Sequence, residues 1–492
     1  MQPFAYERID ESTWMYVSSF LILSFFFKFN RLWSIRNLDL FLIIMLAPGL
    51  LMIQSGVQTH KKFSQPQTLE QGDDDPYRNS SGSIRQASFA PQATEAEPHD
   101  TAAPELSTTA QPAASRWVNA PGLGFQRLGY LWMFVVGGLI LIRMLVDPLF
   151  ERRPVLEPNL SIGGMVFLGF SLLFFVLANV ATYSPAQEDI QGAKNAVNIL
   201  KLEAAGEGED KHLIQRGPGY RLLYVLPVMS VFGDGDQVGE ETYIVAAKSV
   251  AITSQILIVA GLILFCHFHF SNFHTGVGIA TIYMLSPYTA IFTGNVLHTV
   301  PAALLIWAMV CYRLPLLAGI FIGLATGVSY YPLFLLALWI SFYWERGWRR
   351  FLIGFSASIV VCVCGLICTS TDMMDFVGQL QAMFAFWRPF MQGLEGIWAL
   401  GPNPIWRVPI LIGFVLFCAS FVAWPTEKDI GTLLSYTAAV MVAVQFWHGF
   451  GGGLFVAWYL PLILLVFFRP NVVGRVASRD VGPFRRPVAD AS

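Results

Sequence analysis

The stretch QEDIQGAKNAVNILKL, Gln187 to Leu202, resumes after a polar turn as RGPGYRLLYVLPVMSVFG, Arg216 to Gly233. Ile190, Ala193, Val197 and Leu200 recur at helical spacing, which predicts a helix lying with one face on lipid or on a helix bundle. Gly217, Pro218 and Gly219 break the chain before a second apolar piece, Tyr220 to Phe232. Glu188 and Asp189 open the first helix, where the helix dipole favours an ionised carboxylate. An acid beside apolar helices is costly unless it is used or paired. The segment therefore reads as an acid-bearing loop over a membrane face, and the region from Gln187 to Arg350 as the part around which the chain is organised.

Composition sets the class. Of 492 residues, 54% are hydrophobic and only 13% charged, too apolar for a soluble protein that must cover itself with polar side chains. The expectation is an all-α polytopic membrane protein. A net charge of −2, with no basic cluster interleaved with aromatics, gives no sign of nucleic-acid binding. Cys266, Cys311, Cys362, Cys364, Cys368 and Cys418 fall in or beside apolar runs, where they act as small hydrophobes. Neither a disulfide framework nor a zinc site is expected. The N-terminus carries Glu7, Asp10 and Glu11 in place of the basic region of a signal peptide.

Residues 1–53 read as an anchor of two spans, Trp14 to Phe27 and Leu38 to Ile53, joined by a loop with Lys28, Arg31 and Arg36. The positive-inside tendency makes that loop cytoplasmic and places the N-terminus outside. Residues 54–126, rich in Gln, Ser, Thr, Ala, Pro and acids, read as a disordered outer loop; its Asp73 to Asp75 run lacks the preorganised geometry of a metal site. Residues 127–182 hold two spans, with Arg152 and Arg153 between them, and 183–242 form the outer loop with amphipathic helices. Residues 243–369 are the core bundle. Within it, Leu314 to Trp344 is flanked by Arg313 on one side and Arg346, Arg349 and Arg350 on the other. Both ends want the cytoplasm, so a short hairpin turning at Ser329, Tyr330 and Tyr331 is preferred to one tilted helix. Residues 370–404 form an aromatic interface loop outside, 405–468 the last spans, and 469–492 a basic cytoplasmic tail. The total is about thirteen crossings of an inner or plasma membrane.

Few side chains are candidates for chemistry. Asp189, with Glu188 beside it, is a candidate carboxylate base, with helix capping as the alternative. Lys248, about one turn inside its span, either holds a lipid phosphate or snorkels to the headgroups. His298 is either a substrate contact or a hydrogen-bonded packing residue. Asp234 and Asp236 have metal-site spacing but sit in a Gly-rich turn. His267, His269 and His274 do not make a ligand set, because positions two apart do not share a helix face. Arg143 reads as a snorkelling anchor. No P-loop, nucleophile elbow or zincin motif occurs.

This order of features resembles the GT-C superfamily of integral-membrane glycosyltransferases, mannosyltransferase-like enzymes that take sugar from a polyprenyl-phosphate carrier. The resemblance runs over about 170 residues. It begins with Asp189 before IQGAKNAVNIL, then GPGYRLLYVLPVMSVFG, then Lys248 in AAKSVAI. YMLSPYTAIFTGNVLHTVPAALLIWAMVCYR follows, and the Gly-rich LLAGIFIGLATGVSYYPLFLLALW ends in the basic WERGWRR. Many members have Lys or Arg where this chain has Ser329, Tyr330 and Tyr331, and Glu where it has His298. The resemblance implies a GT-C-like bundle with outer-face interface helices and sugar transfer at the outer face. It also implies Asp189 as base with Glu188 as fallback. Lys248, His298, Tyr330, Tyr331 and Trp387 would be substrate-binding, with Trp398 beside Trp387 at an acceptor groove. The expected partners are a polyprenyl-phosphate-linked sugar and membrane lipid; no cofactor is expected, and a divalent metal is not indicated. The alternatives are a lipid-linked sugar transporter, which internal repeats would mark, and a GT-C-like scaffold without activity.

Overall fold

The computed structural model describes residues 11–64, 122–150, 156–201, 216–231, 239–345, 347–368, 370, 372–383, 394–425 and 428–470. Every regular element among them is a helix, and the chain is a polytopic membrane protein. Six of these helices are long and apolar enough to cross a membrane. Seven further apolar helices have 10–17 residues; at ~1.5 Å per residue they cover only ~15–25 Å. The expected count of crossings thus depends on helices shorter than a full span.

Helices α1 (Glu11–Phe26), α2 (Ile35–Ile44), α3 (Leu46–Ser64), α4 (Leu123–Val146) and α5 (Ile162–Thr182) come first. Helix α3 continues through Gln54 to Ser64, inside the stretch expected to be a loop, and the rest of that stretch to 121 lies outside the described residues. Helix α5 is capped by Ser161, whose hydroxyl accepts the Gly164 N–H. It leaves Phe167, Phe170 and Phe174 exposed on one face, as a lipid-facing helix does.

The interface helix α6 (Gln187–Lys201) and the piece made of a 3₁₀ turn (Arg221–Tyr224) and α7 (Val225–Val231) lie next in order. Then come α8 (Glu240–Phe265), α9 (Phe273–Leu285), α10 (Pro287–Phe292), α11 (Val296–Val310) and α12 (Pro315–Val328). Helix α12 stops at Val328, and a 3₁₀ turn with Pro332 leads into α13 (Leu336–Phe342). The chain has reversed: the Tyr343 hydroxyl donates to the Tyr312 carbonyl, and Gly347 lies against Pro315, where α12 began. Gly319 and Gly354 let α12 pack backbone to backbone on α14 (Trp348–Ile367), since a Cβ at either would meet a main-chain carbonyl of the other helix. The end of the chain supplies α15 (Met373–Met383), α16 (Ile397–Leu400), α17 (Arg407–Ser420), α18 (Ile430–Trp447) and α19 (Leu460–Phe467).

The two ends of the bundle are built differently. At the end away from Asp189, Arg143 on α4 is the hub of a buried ion network and not the snorkelling anchor expected of it. Its guanidinium donates to both Asp39 oxygens at 2.8 and 2.9 Å and to Asp147 at 2.9 Å. Asp147 also accepts from Arg469 at 2.6 Å and from Ser435 at 2.8 Å. Two carboxylates inside the bundle attract the guanidinium more strongly than the headgroup region does. The network joins the N-terminal helices to α18 and to Arg469, two residues beyond α19. His269, nearby in sequence to His267, meets the Val310 carbonyl at 2.8 Å, a packing contact.

Replacing Asp147 by Asn leaves two guanidinium groups sharing a neutral amide. Losing one partner of a buried pair costs about 3–5 kcal/mol. The melting temperature of the purified protein in detergent should fall clearly for Asp147→Asn and stay unchanged for Glu240→Gln, an exposed first-turn acid of α8.

Candidate active site

Helix α6 buries Asp189, Gly192, Ala193, Ala196 and Val197 on one face. This stripe is rotated from the expected one: Ile190 is half-buried and Leu200 exposed. Small residues fill the buried face because α6 must approach α8 and the tyrosine pair closely. A Cβ at Gly192 would stand 2.6 Å from a Tyr224 ring carbon and 2.8 Å from one of Tyr220. Beneath lies a separate apolar core drawn from α5, α6, α8, α11 and α12, including Val180, Ala247, Val250, Val296 and Val328.

Asp189 is 2% exposed and turns its carboxylate away from its own helix. Oδ1 accepts from the Tyr220 hydroxyl; the Tyr224 hydroxyl lies 3.1 Å from the same oxygen and 2.9 Å from the Tyr220 hydroxyl. Oδ2 is buried with no hydrogen-bond partner among the described residues. Burial pushes the carboxyl above its ordinary pKa, opposed by the Tyr220 hydrogen bond, the Arg216 charge, Tyr224 and the Val296 N–H. Glu188, half-exposed, stands 4.0 Å from Arg216, whose guanidinium lies over the Tyr220 ring at 5.0 Å. Glu395, raised by burial and by the Glu188 charge, comes from the loop before α16.

The tyrosines are tied to the hairpin turn through the backbone. Gly217 N–H donates to the Val328 carbonyl at 2.9 Å, and Gly219 N–H to Gly327 at 2.7 Å. These are the last carbonyls of α12, which have no partner inside their own helix. Directly after them, Tyr330 and Tyr331 stack at 4.0 Å, and Tyr331 meets His448 at 4.6 Å. Phe455 continues the series, 4.8 Å from His448 and 4.4 Å from His298, and His298 stacks on Phe292 at 4.7 Å. His298 Nδ1 also bonds the Tyr288 hydroxyl. Arg407, at the start of α17, is buried against Gly449 and donates to the Trp447 carbonyl at 3.1 Å, within electrostatic reach of Tyr330, Tyr331 and His448.

Several donors here have no acceptor among the described residues. His448 Nδ1 accepts the Phe450 N–H at 3.2 Å, which leaves the proton of the neutral ring on Nε2. That Nε2, Trp447 Nε1, Trp398 Nε1 and the hydroxyls of Ser329 and Thr326 are buried without partners among the described residues. A buried polar group left unpaired costs about 1–3 kcal/mol. Each of them needs a partner that the described residues do not supply.

The structure thus brings Asp189 and Glu188 together with two tyrosines, and His298, Tyr330 and Tyr331 into one aromatic wall. Lys248 does something different: its ammonium donates at 2.6 Å to the Ala181 carbonyl, closing the last turn of α5. Trp387, Asp234 and Asp236 lie outside the described residues. Sequence reasoning missed Tyr220, Tyr224, Glu395, Arg407 and His448. The available signals were the i, i+4 tyrosines after the Gly-Pro-Gly break, and two lone ionisable residues at the margins of apolar helices.

Residues 242–448 match the model of glycosyltransferase family 87. The match supports a membrane glycosyltransferase of the GT-C type. The matched stretch holds Lys248, His298, Tyr330, Tyr331, Arg407 and His448, while Asp189 and the tyrosine pair precede it. No curated protein and no solved structure matches the chain.

Gly192→Ala should drive α6 off the tyrosine pair. Overpacking of this kind costs about 1–3 kcal/mol, read as a lower melting temperature and a slower transfer rate. Adding Tyr224→Ala should restore part of the lost stability, since contacting residues couple; no relief in the double variant would contradict the contact.

Proposed function

We propose that this glycosyltransferase moves a sugar from a polyprenyl-phosphate donor to an acceptor hydroxyl on the outer face of the membrane. The observation that carries the reading is a buried carboxylate with one open oxygen, Asp189 Oδ2, at the same end of the bundle as the donors of Arg407 and His448. The acceptor hydroxyl gives its proton to Oδ2 as its oxygen attacks the anomeric carbon. The bond from that carbon to the phosphate oxygen breaks, and the electron pair leaves with the phosphate. Phosphate is already a good leaving group, so the protein chiefly positions the reactants and stabilises charge.

The raised pKa of Asp189 suits a general base, since a proton acceptor works best with a pKa near the working pH. Glu188 is the lesser candidate because it is half-exposed and paired with Arg216. Arg407 and the Nε2–H of His448 would receive the phosphate charge, with Tyr330, Tyr331 and His298 as the wall behind it. Arg407 would supply from α17 the positive charge that the hairpin turn itself lacks. Lys248 would reach a phosphate only by giving up the Ala181 carbonyl. The outer placement is supported by Lys28, Arg31, Arg313, Arg349 and Arg350, which lie in or beside short connections at the end opposite Asp189.

The test is transfer by purified protein in detergent from a panel of polyprenyl-phosphate sugars. Asp189→Asn should lose about 10²–10⁴-fold in rate, the usual contribution of a positioned general base, while Glu188→Gln keeps most of it. Transfer by Asp189→Asn at the wild-type rate would sink the assignment.

A further inference from the structure

Among the described residues, two hydroxyls stand on one oxygen of Asp189 and none on the other. Tyr220 donates to Oδ1, and Tyr224 divides its single proton between Oδ1 and the Tyr220 hydroxyl. Both tyrosines are fully buried, with rings edge to face at 5.5 Å. Neither is free to move with α6, because the residues just before Tyr220 are bonded to the final carbonyls of α12. The pair therefore belongs mechanically to the hairpin turn, while the carboxylate belongs to α6.

We propose that Tyr220 and Tyr224 are positioning residues that lock Asp189 Oδ1 to the hairpin turn, leaving Oδ2 as the single basic oxygen presented to the acceptor. The inference rests on the reading of Asp189 as the base and adds how that base is aimed. A carboxylate held by one oxygen cannot swing about its Cβ–Cγ bond, so its open lone pairs point one way. The distance from Oδ2 to Tyr330, Tyr331 and Arg407 is then set by the short backbone from Gly217 to Tyr220.

Hydroxyl donors favour the ionised carboxylate, so removing one raises the pKa of Asp189. Activity that needs ionised Asp189 is then lost at a higher pH. The other charges and dipoles around the carboxylate stay in place in such a variant: Arg216 from the loop before Tyr220 and the Val296 N–H from α11. Glu188 beside it faces Arg216, and Lys248 on α8 is engaged with Ala181. The conservative change Tyr→Phe keeps the ring and its packing, which separates positioning from support of the fold.

The experiment is the pH profile of sugar transfer for wild type, Tyr220→Phe, Tyr224→Phe and the double variant, each checked for an unchanged melting temperature. The acid limb should move up by about one pH unit in Tyr220→Phe, less in Tyr224→Phe, and most in the double variant. Turnover should drop about tenfold with KM little changed, as for a group that acts only on the transition state. An acid limb that stays put in the folded double variant would overturn the inference. Asp189→Asn serves as the separate arm: if it retains transfer, the base itself is misassigned, whereas an unmoved limb beside an inactive Asp189→Asn defeats only the positioning role.

Discussion

Helix α12 ends inside the protein, and that is the constraint on which the site depends. A helix that stops at Val328 leaves its last carbonyls without internal partners, and in apolar surroundings each of them is expensive. The N–H groups of Gly217 and Gly219 take two of them. That docking draws the loop after α6 into the bundle, and it delivers Tyr220 and Tyr224 to Asp189. Without the broken helix the tyrosine pair would lose its backbone anchor, and Asp189 the two hydroxyls that meet it.

The polar groups follow the same logic at the two ends of the bundle. At the end away from Asp189, the carboxylates of Asp39 and Asp147 are met by Arg143, Arg469 and Ser435, so the charges there are spent on holding helices together. At the end that carries Asp189, one carboxylate oxygen, one imidazole N–H, two indole N–H groups and two hydroxyls are buried without partners among the described residues. A saturated network rigidifies a fold, whereas an unsaturated one is costly to keep. The Arg143–Asp147 network is of the first kind, and the groups around Asp189 are of the second.

Much of this was legible in the sequence. Apolar runs, Pro and Gly breaks and the spacing of α6 gave the helices, and the basic residues on both sides of Leu314 to Trp344 implied a chain that turns back at Ser329 to Tyr331. Asp189 stood out because an acid at the mouth of apolar helices is rare. What sequence could not supply were contacts between distant segments. Nothing in the spacing of Tyr220 and Tyr224 says that their hydroxyls meet Asp189, and nothing near Arg407 says that it faces a turn formed by Tyr330 and Tyr331. Arg143 was misjudged for the same reason: its partner Asp39 lies 104 residues earlier in the chain. Lys248 is the converse case, a cation whose position near the start of its helix fitted a phosphate but which closes α5.

The most direct measurement is a structure of the protein with a polyprenyl-phosphate sugar bound, by electron cryomicroscopy in a lipid nanodisc. The account predicts phosphate density against Arg407 and His448, with the anomeric carbon turned toward Asp189 Oδ2. Density for the carrier headgroup on any other face of the bundle, with Asp189 still sealed behind the tyrosine pair, would contradict it.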